Sequence, residues 1–553
     1  MDISRRFAAL LLSLLTLTLP TTAADAGISQ CHPSTFTFPP LLGAAHIRTT
    51  VAVVRNYTGH PGWMPDAAVS VPPSGVAPFC NVTVSYVHPG YDFVVSVHVW
   101  LPLERKAWNG RLLGVGGGGF VAGDVDGDFM AAGVMGGYAV AATDGGHWKG
   151  VPVREWALKG RGNLDWDRFV EFAYRGVGEM GDVGGGIVRE FYGQKEGWRY
   201  FAGCSTGGRQ GLVLAARDEG EWDGVLSMCP AVDFPAVVGG MMGPQVVMRE
   251  MGWWPGECEV REVVRGVVEG CDAADGVVDG IIGRLGECEV GFEALEGRGF
   301  KCGDEKGRVD GRTVEVLRRV MRGLEDEEGR VVEGGYGYVP GAPLVGLLGL
   351  MNVKYGGDGG CQGEPFEVAE DWVKYFVKKD AEFDVGNMTM DEFRDVFRQG
   401  VEEFTSAIGT SHDLRRFRER GGKMLMWHGM ADQTVMVLAA RAFYERARKL
   451  EQSRGVEIED YWRYFEVPGM NHCSPLYGGP YPWDAMERLR KWVEEGVPPQ
   501  DLEARTIEEE DGRNVFGKVA RRVCMFPKEG VWDGSEWQCL QPGEKLDEKR
   551  EEL

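Results

Sequence analysis

Positive charge is what this chain has little of. Its 60 lysines and arginines face 83 aspartates and glutamates, a formal net charge of −23. Nucleic acid and anionic membrane are excluded as natural partners of such a surface. Long apolar runs are equally scarce. One stands near the N-terminus, Phe7 to Leu19, and its length of about 13 residues falls short of the roughly 20 that a membrane span needs. With Arg5-Arg6 before it and Ala24-Asp25-Ala26 after it, the run reads as a secretory leader over residues 1–26. Nothing of that apolarity follows, so the mature protein is expected to be soluble, extracellular and without membrane contact.

Cysteine, by contrast, is plentiful. Twelve residues, an even number, suit an oxidising compartment. Proximity in the chain nominates Cys31 with Cys80, Cys271 with Cys288, and Cys524 with Cys539. Three sequons begin at Asn56, Asn81 and Asn387, as a secreted glycoprotein could carry. The last residues, Arg550-Glu551-Glu552-Leu553, distantly resemble a retention tail and read more simply as a charged, frayed end. At 553 residues the chain exceeds one ordinary core, so one large domain with an insertion, or two domains, is expected.

Alternation and apolar runs predict strands at Asn81–Pro89, Asp92–Pro102, Arg111–Val115 and Tyr138–Ala142. Asp165–Met180 places Phe169, Phe172, Ala173, Val177 and Met180 on one helical face. Strands followed by βαβ units imply an α/β sheet. From Asp233 to Arg420 strand-like runs give way to amphipathic segments such as Thr313–Arg322, Phe366–Lys379 and Met390–Phe404. That length is too great for a loop, and a largely helical inserted domain is expected. The sheet pattern resumes at Lys423–His428 and Tyr461–Val467, a helix closes it at Asp484–Glu494, and the chain beyond Pro498 reads as charged and irregular.

The stretch Gly203-Cys204-Ser205-Thr206-Gly207-Gly208-Arg209-Gln210-Gly211 lies between an aromatic-rich strand candidate, Trp198–Ala202, and a helix candidate beginning at Leu212. Strand, Gly-x-Ser-x-Gly, helix is the context of a nucleophile elbow, although a chain with 82 glycines also produces the pattern by chance. The N–H of Thr206 is the first candidate oxyanion donor, and the glycine run Gly116–Gly119, at the end of a strand, offers a second. A flexible surface turn is the alternative reading of that run. Asp432 and His472 follow the ends of two later strands. The order Ser205, Asp432, His472 is that of α/β-hydrolases, and each role is needed: serine is weak without a base, and histidine needs a carboxylate to fix its tautomer. Helix capping for Asp432 and a plain loop position for His472 are the alternatives. His428 and His147 also stand at strand ends and rank as structural or substrate-facing.

Cys204 precedes Ser205, and Cys473 follows His472. If the serine and histidine meet, these two sulfurs come within bonding reach. A second constellation is Cys271-Asp272-Ala273-Ala274-Asp275-Gly276-Val277-Val278-Asp279-Gly280-Ile281, whose three carboxylates, broken by glycines, can wrap a hard cation. An acidic surface turn is the alternative.

Together these residues resemble the tannase and feruloyl esterase family of fungi. Trp108-Asn109-Gly110-Arg111, Asp144–His147 and Phe172-Ala173-Tyr174-Arg175 add to the likeness, which spans the mature chain. The resemblance implies a Cys204–Cys473 disulfide and a structural Ca2+ held by Asp272, Asp275 and Asp279 with the carbonyls of Val277 and Ile281. It also implies an α/β-hydrolase fold with catalytic parts at 27–232 and 421–553 and a lid at 233–420. The closely spaced cysteine pair that the family often shows after the calcium loop is absent, which leaves the pairing of Cys229, Cys258, Cys302 and Cys361 open. The implied activity is hydrolysis of phenolic-acid esters, small or polysaccharide-linked, through Ser205, His472 and Asp432. A catalytically silent phenolic- or carbohydrate-binding protein and a peptidase with the same triad are the rivals.

Overall fold

The computed structural model describes residues 23–58, 75–217, 219–355, 361–475, 478–510 and 513–546. The proposed leader and the terminal Arg550–Leu553 fall, wholly or nearly so, outside them. Nine strands form the central sheet: β1 (Ala45–Val54), β2 (Phe79–Val87), β3 (Val95–Pro102), β4 (Arg111–Val115), β5 (Ala139–Thr143), β6 (Trp198–Cys204), β7 (Gly224–Met228), β8 (Lys423–Gly429) and β9 (Trp462–Val467). Their spatial order is β1-β2-β3-β5-β4-β6-β7-β8-β9. The first three and β5 pair antiparallel, and everything from β5 to β9 is parallel. This is an α/β-hydrolase architecture, as expected.

The parallel strands are buried on both faces. Leu112 and Phe201 join one apolar cluster, while Leu113 and Ala202 join the other, because successive side chains leave a strand on opposite sides. Each such large side chain contributes roughly 2 kcal/mol relative to exposure. The carboxyl ends of β6, β8 and β9 therefore form a rigid rim, which is where an open α/β sheet places its ligands.

Between β7 and β8 the described residues add no strand to this sheet. Helices dominate the interval, including Glu257–Cys271, Gly311–Arg322 and Met390–Ile408. An aromatic cluster fastens it to the sheet side: Phe120 stacks on Phe376 at 4.9 Å, and Phe172 meets Phe234 at 6.3 Å.

Three local readings are corrected. The helix expected over Asp165–Met180 is interrupted: Trp166–Val170 is α-helical, Glu171–Arg175 is a π turn, and the regular helix α1 is Gly176–Tyr192. Phe366–Lys379 likewise contains a π segment, Trp372–Val377. The chain beyond Pro498 is not irregular. It forms an antiparallel ribbon, β10 (Asp501–Glu510) and β11 (Arg513–Cys524). Among the described side chains of β10 only Leu502 and Ala504 are buried, so charged residues at the intervening positions mask a period of two.

Four disulfides lie away from the sheet rim: Cys31–Cys80, Cys258–Cys302, Cys271–Cys288 and Cys524–Cys539. The three pairs nominated by proximity are formed. The undecided pairing resolves to Cys258 with Cys302, and Cys229 and Cys361 stay free.

Candidate active site

At the end of β6 the chain turns sharply, and Ser205 is held at φ 61°, a left-handed conformation that non-glycine residues adopt only at a cost. The turn tolerates no side chain on either flank. A Cβ on Gly203 would stand 2.6 Å from the Gly207 backbone, and one on Gly207 would stand 2.9 Å from the Gly117 carbonyl. The Ser205 N–H donates to the Met228 carbonyl at 3.0 Å, and the Ser205 carbonyl accepts from Arg209 N–H at 3.0 Å. The helix α2 (Thr206–Arg217) starts immediately, so its N-terminus and dipole face the serine. Arg209, fully buried, donates to the carbonyls of Ala173 and Ile408 at 2.8 and 3.3 Å, anchoring α2 from behind.

The glycine run after β4 lies alongside. The N–H groups of Gly116 and Gly117 serve the Ala202 carbonyl and the Gln210 side chain, while Gly118, Gly119 and Thr206 line the cavity in front of Ser205. The Thr206 hydroxyl donates to the Gly119 carbonyl at 2.6 Å, which fixes the loop against the helix N-terminus.

Asp432 and His472 come from the ends of β8 and β9. His472 Nδ1 lies 2.7 Å from Asp432 Oδ2, so this nitrogen carries the proton and Nε2 is left as the base. Asp432 Oδ1 accepts from the N–H groups of Thr434 and Val435 at 2.9 and 2.8 Å. Burial alone would raise its carboxyl, but the imidazoles of His472 and His428 outweigh that and hold it far below the usual range. Both Ser205 and His472 line one cavity of about 440 Å³. Cys204 and Cys473 are disulfide-bonded with Cα atoms 5.9 Å apart, tying the serine turn to the histidine loop across 269 residues.

The two lesser histidines sort as structural. His147 Nε2 lies 2.8 Å from the Phe120 carbonyl and the ring stacks on Trp156 at 4.2 Å; burial lowers it to about 4. His428 Nε2 sits 2.9 Å from the Val435 carbonyl and 3.2 Å from Asp432 Oδ2, so it supports the acid rather than competing for it. Two features were not legible in the sequence. The Cys229 thiol, pushed up by burial and then by Asp432, lies within 4.8 Å of both disulfide sulfurs. Lys149 and Asp124, 3.3 Å apart, line the cavity. Neither carries a motif, because their neighbours are remote in the chain.

The acidic loop is elsewhere, against β11. Asp272 accepts from the N–H groups of Asp279, Gly280 and Ile281 at 3.1, 2.8 and 3.2 Å. Arg521 of β11 bonds Asp275 at 2.5 Å and Asp279 at 2.6 Å. Two of the three carboxylates thus share one guanidinium, and burial holds Asp275 above its ordinary value in spite of Arg521. The donor set, two negative charges in excess and all oxygen, fits a divalent hard cation.

The sequence profile described as "Tannase and feruloyl esterase" matches residues 80–542. The chain belongs to the tannase and feruloyl esterase family. As a member it is a carboxylic ester hydrolase. This esterase is 31% identical over 532 residues to a probable feruloyl esterase of Arthroderma benhamiae, covering 94% of each chain. It is 27% identical to a tannase of Aspergillus oryzae, covering 85% of this chain and 86% of that one. Its structure superposes on a tannin acyl hydrolase from Aspergillus niger with a TM-score of 0.81 at 27% identity, over 94% of this chain and 96% of the other. Among the described residues of the esterase, no helix is long and apolar enough to cross a membrane.

Proposed function

We propose that this protein is a secreted serine esterase that releases aromatic acids from their esters, of the feruloyl or galloyl type. The observation that carries the reading is that Ser205 and a carboxylate-oriented His472, each beside one end of the Cys204–Cys473 disulfide, line a single cavity. Ser205 Oγ, losing its proton to His472 Nε2, attacks the ester carbonyl. The N–H groups of Thr206 and of the Gly118–Gly119 segment face the developing oxyanion. His472 then protonates the departing alcohol, and water, activated by the same base, releases the acid from Ser205. Asp432 stays ionised throughout and stabilises the imidazolium. Phe234, Met241, Leu348 and Phe366 from the 233–420 segment wall the cavity with apolar surface, which suits a flat aromatic acyl group.

The loop Asp272–Ile281 would hold Ca2+ through the carboxylates of Asp272, Asp275 and Asp279 and the carbonyls of Val277 and Ile281, with Arg521 as an outer partner. Bound calcium would supply charge balance only, since none of these residues lines the cavity at Ser205.

The deciding experiment compares methyl ferulate and methyl gallate as substrates of wild type and Ser205→Ala. Turnover of one ester names the acyl class. The variant should lose about 10⁶-fold in kcat with an unchanged circular dichroism spectrum. Retained turnover would overturn the assignment of Ser205. Wild type inert to both esters and to a fluorophosphonate probe would overturn the esterase reading.

A further inference from the structure

Away from the Ser205 cavity, one more group of potential ligands converges among the described residues: His88, Glu171 and Glu179 each offer an atom within 4.8 Å of the others. His88 follows β2, Glu171 opens the π turn, and Glu179 lies in the first turn of α1. In an unbroken α-helix, positions eight apart face about 80° away from each other at 100° per residue. A π bulge acts as one inserted residue and leaves seven ordinary steps, about 20° out of line. The interruption of this helix is what turns both glutamates toward the same side.

The histidine is oriented as a ligand. Its Nδ1 lies 2.9 Å from the Gly43 carbonyl, which only accepts, so Nδ1 is the protonated nitrogen and Nε2 faces the carboxylates. Nε2 stands 3.0 and 3.1 Å from Glu179 Oε1 and Oε2 and 3.6 Å from Glu171 Oε1. Tetrahedral zinc at its usual 2.0–2.2 Å from nitrogen and oxygen holds neighbouring donors about 3.4 Å apart, within the same span. Tyr86 donates to Glu179 Oε2 at 2.7 Å, and this hydroxyl together with the Gly43 carbonyl forms the outer support that ligating residues need. Glu171 is fully buried, and neither of its carboxylate oxygens has a hydrogen-bond partner. The Arg175 guanidinium nearby reaches only to 3.6 Å of it. His88 and Glu179 open onto a groove of about 760 Å³ that shares no lining residue with the Ser205 cavity, so a cation has a way in.

We propose that His88, Glu171 and Glu179 form a second cation site, selective for a transition metal of the zinc class, that joins the end of β2 to the helix α1. The imidazole ligand separates it from the all-oxygen acidic loop, because nitrogen donors favour zinc-class ions and oxygen donors favour calcium. A doubly protonated His88 bridging two carboxylates is the competing state.

The test uses the full mature enzyme, freed of transition metals in a calcium-containing buffer so that the acidic loop does not compete. After dialysis against zinc chloride, bound zinc is measured for wild type, His88→Ala and Glu179→Gln. Wild type should retain about one zinc per chain, and each variant should bind at least roughly tenfold more weakly, with ester hydrolysis retained as the check on folding. X-ray absorption of the zinc-loaded wild type should show one imidazole among oxygen ligands, and this reading stands even if a variant does not fold. Absence of stoichiometric zinc, equal retention by both folded variants, or sulfur in the zinc shell would overturn the site.

Discussion

Asp432 and Asp275 are both sealed from solvent, yet they are neutralised by partners of different kinds. Asp432 meets two backbone N–H groups and two imidazoles; Asp275 meets a guanidinium, which never gives up its proton. An imidazole partner can change charge during a reaction, whereas a guanidinium partner can only hold. The same contrast runs through the crosslinks. Cys204–Cys473 closes 269 residues and aligns two loops of the cavity, while Cys271–Cys288 closes 17 and braces the acidic loop.

Asp432→Asn sharpens this comparison most. The amide leaves His472 in the wrong tautomer, so kcat for a phenolic ester should fall about 10⁴-fold with the fold kept. Asp275→Asn should leave kcat nearly intact and instead lower stability by about 1–3 kcal/mol, because Arg521 loses one of its two carboxylate partners and keeps Asp279. The comparison breaks if Asp275→Asn silences a protein whose unfolding midpoint is unchanged.

Removing the crosslinks comes next in size. Cys204→Ala with Cys473→Ala should cost about 10²-fold in kcat through slight misplacement of Ser205 against His472. Cys271→Ala with Cys288→Ala should cost about 3 kcal/mol by urea unfolding with kcat preserved. Equal kinetic losses in the two pairs would erase the distinction between an aligning and a bracing bond.

If the acidic loop holds calcium as proposed, chelation should act like loss of the bracing bond, lowering stability by roughly 3 kcal/mol for an ion held at 100-fold its dissociation constant. Turnover at low temperature should persist, and added calcium should restore the melting temperature. Turnover lost at once, before any unfolding, would place the ion at the chemistry.

The smallest effect is in pH. His147 is lowered from 6.5 to about 4 by burial, so between those values the unfolded chain binds more protons and this residue makes stability rise with pH. Asp432 is lowered too, so its contribution stands above its unfolded value near 3.9 and fades only as pH falls toward its folded one. Urea titrations at several pH values should therefore show His147→Asn losing slope between about pH 4 and 6.5 relative to wild type. Identical slopes for wild type and His147→Asn would mean that the ring is not held neutral.

The sequence by itself determined the elbow, five of the strands before the insertion and the three local disulfides. Those signals are carried by neighbours in the chain: glycines flanking Ser205, alternation along β2 and β3, cysteines a few tens of residues apart. The π turn at Glu171 escaped it because the same apolar residues satisfy a regular helix and a bulged one. The β10–β11 ribbon escaped it because charge on the outer face hid the buried Leu502 and Ala504. Only tertiary structure decided that Arg521 meets Asp275 from 246 positions away, that Cys229 lies beside the Cys204–Cys473 bond, and that His88 faces Glu171 and Glu179. In each of these the partners are brought together by sheet order and helix packing, and spacing along the chain holds no record of that.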